Sequence, residues 1–253
     1  MTRPPPNDRL ATLLDPVSEA TAGLRLSSIG GLLPVPANLP GCGAGTPVRR
    51  DDHDPLVQQP AGGRIAIYPC YQLAGFASAS PELWLRSDVG GRLTAAAALL
   101  PAGYGLAVLD AWRTAALQQE LYALAYGHSD LDVGYVTRPS TDPQRPAPHT
   151  TGGTVDVTLT CDQVPLGLGT GFDAFTADAH LAAFERPGRD RTVRQLRRLL
   201  YHAMSSAGFV GYRQEWWHYE YGTCRWAALT GGRARWMTAT THDRASGGRA
   251  GTR

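Results

Sequence analysis

Regular apolar periodicity is concentrated in the middle of the chain, where helical and strand patterns follow one another at short intervals. The stretches RSDVGGRLTAAAALLPAG, TAALQQELYALAYG and RTVRQLRRLLYHAMSSAG carry apolar residues at helical spacing. YGLAVLDAWR and TVDVTL are typical of strands, and FVGYRQEWWHYEY of a strand pair or a bent strand. Some of these strands lie too close together for strict strand–helix–strand units, which favours an α+β fold over a doubly wound sheet. We predict a small central antiparallel sheet flanked by helices.

Three regions of the chain differ in composition. Residues 1–62 are rich in Pro, Gly and short polar residues, which predicts an irregular N-terminal extension. Residues 63–237 carry the periodic pattern and are predicted to form a single folded domain. The last stretch, 238–253, is expected to be a flexible C-terminal tail. Within the domain, the Pro-rich stretch 128–148 predicts a long loop, and loops of that length are often functional.

Charge and composition give no support for a nucleic-acid or membrane partner. The net charge is only +2, and all 24 basic residues are Arg, which is typical of a GC-rich genome rather than of phosphate recognition. The four cysteines are scattered and form no metal or disulfide framework. No apolar run approaches the ~20 residues of a membrane span, and the N-terminus lacks an apolar signal segment. We therefore expect a cytoplasmic protein, whose oligomeric state the sequence leaves open.

The stretch PHTTGGTVDVTL places an aspartate inside a β-branched strand. Asp156 shares one predicted face with Thr154 and Thr158, and His149 precedes them across a pair of glycines. Aspartate is depleted in strands and costly to bury without a partner, and a cation would offset that cost. The alternative is an exposed aspartate on an edge strand.

The stretch QEWWHYEY places Glu215 three residues before His218. On a regular strand this spacing puts the two side chains on opposite faces, so a shared site requires a bend or bulge. Together with His149 and Asp156, His218 would complete three protein ligands of a catalytic zinc site, with Glu215 as the free base. The alternative is an aromatic core strand that carries a surface histidine.

Taken together, the two stretches resemble the zinc D-alanyl-D-alanine dipeptidases, the enzymes of vancomycin resistance, and the related D-Ala-D-Ala carboxypeptidases. That family has Ser-x-His-x-x-Gly-x-Ala-x-Asp followed by Glu-x-x-His, often Glu-Trp-Trp-His. GYGLAVLDAWR is similar to the family's strand ending in Asp-x-Tyr-Arg, and GLGTGFDAF to its Gly-x-x-Phe-Asp segment. The matches keep the family's order and cover residues 70–222.

The resemblance implies a zinc metallopeptidase with one Zn²⁺ per chain that hydrolyses a small dipeptide. It implies His149, Asp156 and His218 as the zinc ligands and Glu215 as the general base and acid. Arg113 corresponds to the family's arginine that stabilises the developing oxyanion.

Further positions are expected to meet the substrate. Asp173 corresponds to the acidic residue that receives the substrate's free ammonium group, and Trp112 and Trp216 are expected to wall the substrate site. Ala147 stands where the family has Ser, Thr154 where it has Ala, and Trp112 where it has Tyr. These departures leave two alternatives open: the same zinc machinery acting on another short peptide or amide in natural-product metabolism, or a non-catalytic protein that binds zinc.

Overall fold

The computed structural model describes residues 29, 31–37, 39, 46–127 and 134–245. Its strands are β1 (Leu56–Gln58), β2 (Ile65–Ile67), β3 (Trp84–Arg86), β4 (Tyr104–Asp110), β5 (Thr154–Cys161), β6 (Val164–Pro165), β7 (Val210–Tyr212) and β8 (Glu215–Glu220). Its helices are α1 (Cys70–Leu73), α2 (Ser87–Ala98), α3 (Ala115–Gly127), α4 (Arg191–Ser206) and α5 (Cys224–Thr230). Short 3₁₀ turns occur at Pro148–Thr151, Ala177–Ala179, Ala183–Glu185 and Thr241–Asp243. This mixture of helices and sheets confirms the α+β prediction.

The main sheet has six strands, in the order β2-β4-β5-β8-β7, with β6 paired to β5. All its pairings are antiparallel except β2 with β4, which are parallel, so the predicted antiparallel sheet is mixed at one edge. The parallel pair arises because β2 and β4 are connected by a long crossover that contains α1, β3 and α2. Strands β4, β5 and β8 are buried along their whole lengths, so the centre of the sheet is covered on both faces.

The helices begin and pack as their apolar patterns predict. Thr114 precedes α3, and its hydroxyl accepts a hydrogen bond from the Leu117 amide at 3.1 Å, as the N-cap of a helix does. Asp190 does the same for α4, accepting from the Val193 amide at 2.9 Å. Helix α2 buries the apolar face on which Leu93 lies, and α4 packs against both α2 and β5.

One arginine of α4 is buried, although arginine is mostly found at the protein surface. Arg197 is 2% exposed, and its guanidinium donates to the backbone carbonyls of Leu168, Asp178 and His180 at 2.8 Å each. Arginine carries five donors in a planar fork, so one side chain can saturate several carbonyls of an irregular segment. Arg197 therefore holds the loop between β6 and α4 from beneath.

Both predicted flanking regions contribute to the packed structure. Strand β1, which lies in the predicted N-terminal extension, pairs with β3 in a separate two-stranded sheet. In the predicted flexible tail, the Ala239 amide donates to the Thr150 carbonyl at 2.7 Å, and the Ala245 amide donates to the Leu56 carbonyl at 2.8 Å. Residues 238–245 are thus held by backbone hydrogen bonds rather than frayed. Most of residues 1–45, residues 128–133 of the predicted loop and residues 246–253 lie outside the described part.

Among the described residues, no helix is both long enough and apolar enough to cross a membrane.

Candidate metal centre

His149 and Asp156 are brought together by the turn that leads into β5. His149 lies in the 3₁₀ turn Pro148–Thr151, which ends at Gly152 with a positive φ of 76°. A Cβ on Gly153 would lie 2.6 Å from the Tyr221 carbonyl oxygen, so only glycine permits this close approach of two backbones. The glycine pair therefore allows the turn to pack closely against the backbone at Tyr221, just after β8. Asp156 follows as the third residue of β5.

His218 reaches the same place from β8, where it is the cross-strand partner of Asp156. Between β7 and β8 the register shifts, because Gly211 pairs with Tyr219 whereas Tyr212 pairs with Glu215. This irregularity is the bend that the Glu215–His218 spacing requires, and it lets both side chains face one side. The Nδ1 atom of His218 lies 3.6 Å from Oε2 of Glu215.

The three predicted ligands form a compact buried group. One ligand atom from each of His149, Asp156 and His218 lies within 4.8 Å of the other two. His149 Nε2 is 3.3 Å from His218 Nδ1, and His218 Nδ1 is 3.2 Å from Asp156 Oδ1. Within the described part of the chain, this buried Oδ1 has no hydrogen-bond partner. An orphaned carboxylate oxygen beside two imidazole nitrogens is a donor set that suits a divalent metal ion.

The hydrogen-bond partner of the outer nitrogen of each imidazole determines how the ring is oriented and which nitrogen faces the centre. His149 Nδ1 lies 2.7 Å from the Ala111 carbonyl oxygen, and His218 Nε2 lies 2.9 Å from Oε1 of Glu220. Both partners are acceptors, so the outer nitrogens carry hydrogens, and in the neutral imidazoles the inner nitrogens carry the lone pairs. Two lone pairs that face each other across 3.3 Å repel unless a positive charge lies beside them, and a metal ion would provide that charge, as a proton on His218 does without one.

The charges around the centre shift several pKa values. Burial opposes ionisation of Asp156, but the two imidazoles outweigh burial and hold its pKa well below the usual range. Burial also opposes protonation of His218, yet the adjacent carboxylates of Asp156 and Glu220 raise its pKa to about 9. Burial raises the pKa of Glu215 to about 8. Without a metal ion, the centre therefore favours positive charge at His218 and leaves Glu215 able to hold a proton near neutral pH.

Arg113 connects the centre to Asp173 through a buried network. Its Nε donates to Asp110 Oδ2 at 2.6 Å, and its Nη2 lies 3.2 Å from Asp156 Oδ2 and 3.1 Å from the Tyr71 hydroxyl oxygen. The Tyr71 hydroxyl in turn donates to Asp173 Oδ2 at 2.9 Å. Burial raises the pKa of Asp173 to about 7, although Arg113 opposes the shift. Asp173 also has a positive φ of 56°, which directs this loop residue towards the network.

These groups face one cavity of about 400 Å³, including its open mouth. Five of the eight residues predicted for the site line it: Arg113, His149, Asp173, Glu215 and His218. Polar and aromatic side chains complete the wall, among them Tyr71, Gln118, Tyr135, Phe175, Tyr212 and Arg225. Asp156, 1% exposed, lies beneath the cavity among the other ligands.

The two tryptophans expected to wall the substrate lie elsewhere. Trp216 is completely buried, and its indole nitrogen donates to the Thr170 hydroxyl at 2.8 Å, so it belongs to the core. Trp112 donates to the Thr150 carbonyl at 3.2 Å and packs against Leu56, away from the described residues that line the cavity. The backbone at both positions directs the indole into the protein, Trp216 from β8 and Trp112 from the segment after β4.

Several residues of the site carried no clear signal in the sequence. Tyr71 comes from the short helix α1, distant in sequence from both metal motifs. Glu220, 1% exposed, follows His218 by two residues on β8, and this spacing puts both on one strand face. That spacing could have indicated Glu220 as a partner of His218. Asp110, at the end of β4, could likewise have been predicted as the ion-pair partner of Arg113.

Comparisons with known proteins agree with this geometry. A family model described as D-ala-D-ala dipeptidase matches residues 81–228. A D-alanyl-D-alanine dipeptidase of Synechocystis sp. is 34% identical over 98 residues, which cover 35% of this chain and 40% of that protein. One of Enterococcus faecalis is 32% identical over 138 residues, covering 47% of this chain and 62% of that protein. The chain thus matches less than two thirds of the length of either relative.

Proposed function

The chain belongs to the D-Ala-D-Ala dipeptidase family, and we propose that it is a zinc-dependent peptidase that hydrolyses a small dipeptide. One observation carries the proposal. The inner nitrogens of His149 and His218 face the two oxygens of the Asp156 carboxylate, at the edge of a cavity that Glu215 and Arg113 also line. Three N and O ligands with space left for water and substrate are typical of catalytic zinc, whereas structural zinc is enclosed by four protein ligands.

The protein's own residues would supply the remaining chemistry. Zinc, when bound, would polarise the scissile carbonyl and lower the pKa of a bound water towards neutrality. Glu215 accepts the proton of the attacking water and delivers it to the leaving amine, because its carboxylate lies beside His218, lines the cavity and is not one of the three metal ligands. Arg113, held by Asp110 and Tyr71, presents a fixed positive charge to the oxyanion that develops on the carbonyl oxygen.

Asp173 supports a dipeptide as the substrate. Its carboxylate lines the same cavity as the metal ligands, and the free ammonium of a dipeptide would neutralise it. A longer peptide has an amide where the dipeptide has the ammonium, so it would leave this buried carboxylate without the ammonium's positive charge. D-Ala-D-Ala is the leading substrate, since both curated relatives are named for it. We also propose that the reaction takes place in the cytoplasm.

Metal analysis is the direct test of the zinc site. We expect about one zinc per chain in the purified protein and little in His218→Ala, because two remaining ligands hold zinc poorly. His242→Ala is the matched control, since this exposed histidine lies outside the cavity. Less than half an equivalent of zinc in the unsubstituted protein would contradict the proposal.

Activity assays separate catalysis from zinc storage. Glu215→Gln should keep its zinc and lose hydrolysis by a factor of about 10²–10⁴, the usual contribution of a general base. Unchanged turnover in that variant would remove Glu215 from the mechanism. No turnover of any substrate by the zinc-loaded protein would favour a zinc-binding protein without catalysis.

A panel of L,L-, L,D- and D,D-dipeptides identifies the substrate. Ala147 offers no hydroxyl where the family has Ser, and this difference favours testing other short peptides and amides. Cleavage of another dipeptide but not of D-Ala-D-Ala would leave the zinc mechanism standing and reject the D-Ala-D-Ala assignment.

A further inference from the structure

Glu220 lies behind His218, on the side away from the metal centre. It is the last residue of β8, 1% exposed, and its Oε1 lies 2.9 Å from His218 Nε2. Two further groups hold the same carboxylate. The Thr223 hydroxyl donates to Oε2, and Arg225 Nη1 forms an ion pair with Oε1 at 2.6 Å.

The neighbours of Glu220 keep its carboxylate ionised and oriented. The Arg225 guanidinium, protonated at all ordinary pH values, lies 4.1 Å from the centre of the Tyr212 ring, which supports it by a cation–π contact. Thr223 is itself fixed, because its Oγ1 accepts from the Trp226 amide at 3.1 Å as the N-cap of α5. The carboxylate is therefore an acceptor that cannot turn away from His218.

An ionised carboxylate in contact with Nε2 decides the tautomer of His218. Since the carboxylate only accepts, Nε2 carries the hydrogen, and in the neutral imidazole that binds a metal ion Nδ1 is then the nitrogen with the lone pair. Nδ1 is the atom that faces Asp156 Oδ1 at 3.2 Å and His149 Nε2 at 3.3 Å. We propose that Glu220 is a positioning residue that fixes His218 in the tautomer and ring orientation that bind the metal through Nδ1.

The two histidines of the centre are supported in different ways. The hydrogen on His149 Nδ1 meets the neutral carbonyl of Ala111 at 2.7 Å, and its Nε2 faces the centre. His218 uses the opposite nitrogen and is supported by a full negative charge. A charged partner makes the imidazole a better electron donor than a carbonyl does, so Glu220 raises metal affinity as well as fixing the ring. This inference rests on the metal site of the proposed function.

Glu220→Gln is the informative change, because it keeps the shape of the side chain and removes its charge. An amide can offer either its oxygen or its NH₂ group to Nε2, so it no longer requires a hydrogen there. We expect the zinc dissociation constant, measured by competition with a chromogenic chelator, to rise about 10- to 100-fold. Glu185→Gln is the matched control, since Glu185 is also ion-paired with an arginine, Arg198, but lies outside the cavity. Glu220→Asp, which retains the charge, should recover part of the affinity.

A second measurement reports the tautomer itself. In the zinc-loaded protein, ¹⁵N resonances of the His218 imidazole should show hydrogen on Nε2 and metal on Nδ1. In Glu220→Gln these resonances should shift or double as the ring samples another state. If this variant unfolds because Arg225 loses its partner, Glu220→Gln/Arg225→Gln removes both charges and takes its place in both measurements.

The outcomes separate this inference from the proposed function. If the unsubstituted protein binds no stoichiometric zinc, the proposed metal site is wrong and the role of Glu220 falls with it. If zinc binds but Glu220→Gln has an affinity within threefold and unchanged imidazole resonances, only the inference is overturned. A weakened affinity with altered His218 resonances, both absent in Glu185→Gln, supports it.

Discussion

Replacing Asp173 by Asn should stabilise the metal-free protein while impairing substrate binding. Asp173 is 5% exposed, and burial raises its pKa to about 7 from the ordinary 3.8. Asn has nearly the same shape, can accept the Tyr71 hydrogen bond through its carbonyl oxygen, and tolerates the positive φ of 56° at this position. The substitution therefore removes the charge and changes little else.

The magnitude follows from the two pKa values. The folded-state pKa lies above the unfolded one, so the carboxyl's contribution to stability is complete below pH 3.8 and is lost as the pH rises through 7. At about 1.4 kcal/mol for each pH unit between the two values, the loss is about 4 kcal/mol at pH 7 and less than about 1 kcal/mol at pH 4. Asn does not titrate, so the variant avoids this loss.

Urea unfolding at pH 4 and pH 7, on chelator-treated protein, measures the difference. We expect Asp173→Asn to be more stable than the unsubstituted protein by about 4 kcal/mol at pH 7, and nearly equal to it at pH 4. Asp162→Asn is the matched control, because Asp162 also has a positive φ but is exposed. A stability difference that is negative, or that does not change with pH, would refute the reasoning.

The same variant tests the role of Asp173 in recognition. A charge-assisted hydrogen bond to an ammonium contributes about 1.5–3 kcal/mol, so KM for a dipeptide should rise roughly 10- to 150-fold. The zinc content should be unchanged, since Asp173 contacts none of the three ligands directly. A KM within twofold of the original would remove Asp173 from the substrate site.

Three further substitutions test the arrangement. Trp216→Phe should lower the free energy of unfolding, measured in urea, by about 1–3 kcal/mol, because the Thr170 hydroxyl loses its partner. It should leave kcat and KM within twofold. A large change in KM would show that Trp216 does wall the substrate site. Arg197→Met should lower the free energy of unfolding by at least about 3 kcal/mol, since three carbonyls lose their donor. A free energy of unfolding within about 1 kcal/mol of the original value would contradict that role. Arg113→Lys should keep zinc but lower kcat about 10²- to 10³-fold, because an ammonium cannot reproduce the planar fork; an unchanged kcat would exclude Arg113 from oxyanion stabilisation.

Local sequence determined the elements and the residue types of the centre. Periodicity extends over a few residues, so the helices around Leu93 and Leu117 and the strand around Asp156 could be predicted within a few residues of their bounds. The unusual aspartate in a β-branched strand and the Glu-Trp-Trp-His run indicated chemistry because both conflict with an ordinary core. The bend at Glu215–His218 was required by that reading and is present in β8.

Tertiary structure decided everything that depends on which distant segments meet. The pairing of β5 with β8 puts Asp156 opposite His218, and no local pattern encodes that register. The crossover before β4 brings Tyr71 to Arg113, and the packing of α4 buries Arg197. Burial, hydrogen-bond partners and the pKa values that follow from them are properties of the assembled fold, because they arise between residues far apart along the chain. The sequence by itself identified the three candidate metal ligands. The sheet order decided that these residues share one centre, while the two tryptophans turn into the protein.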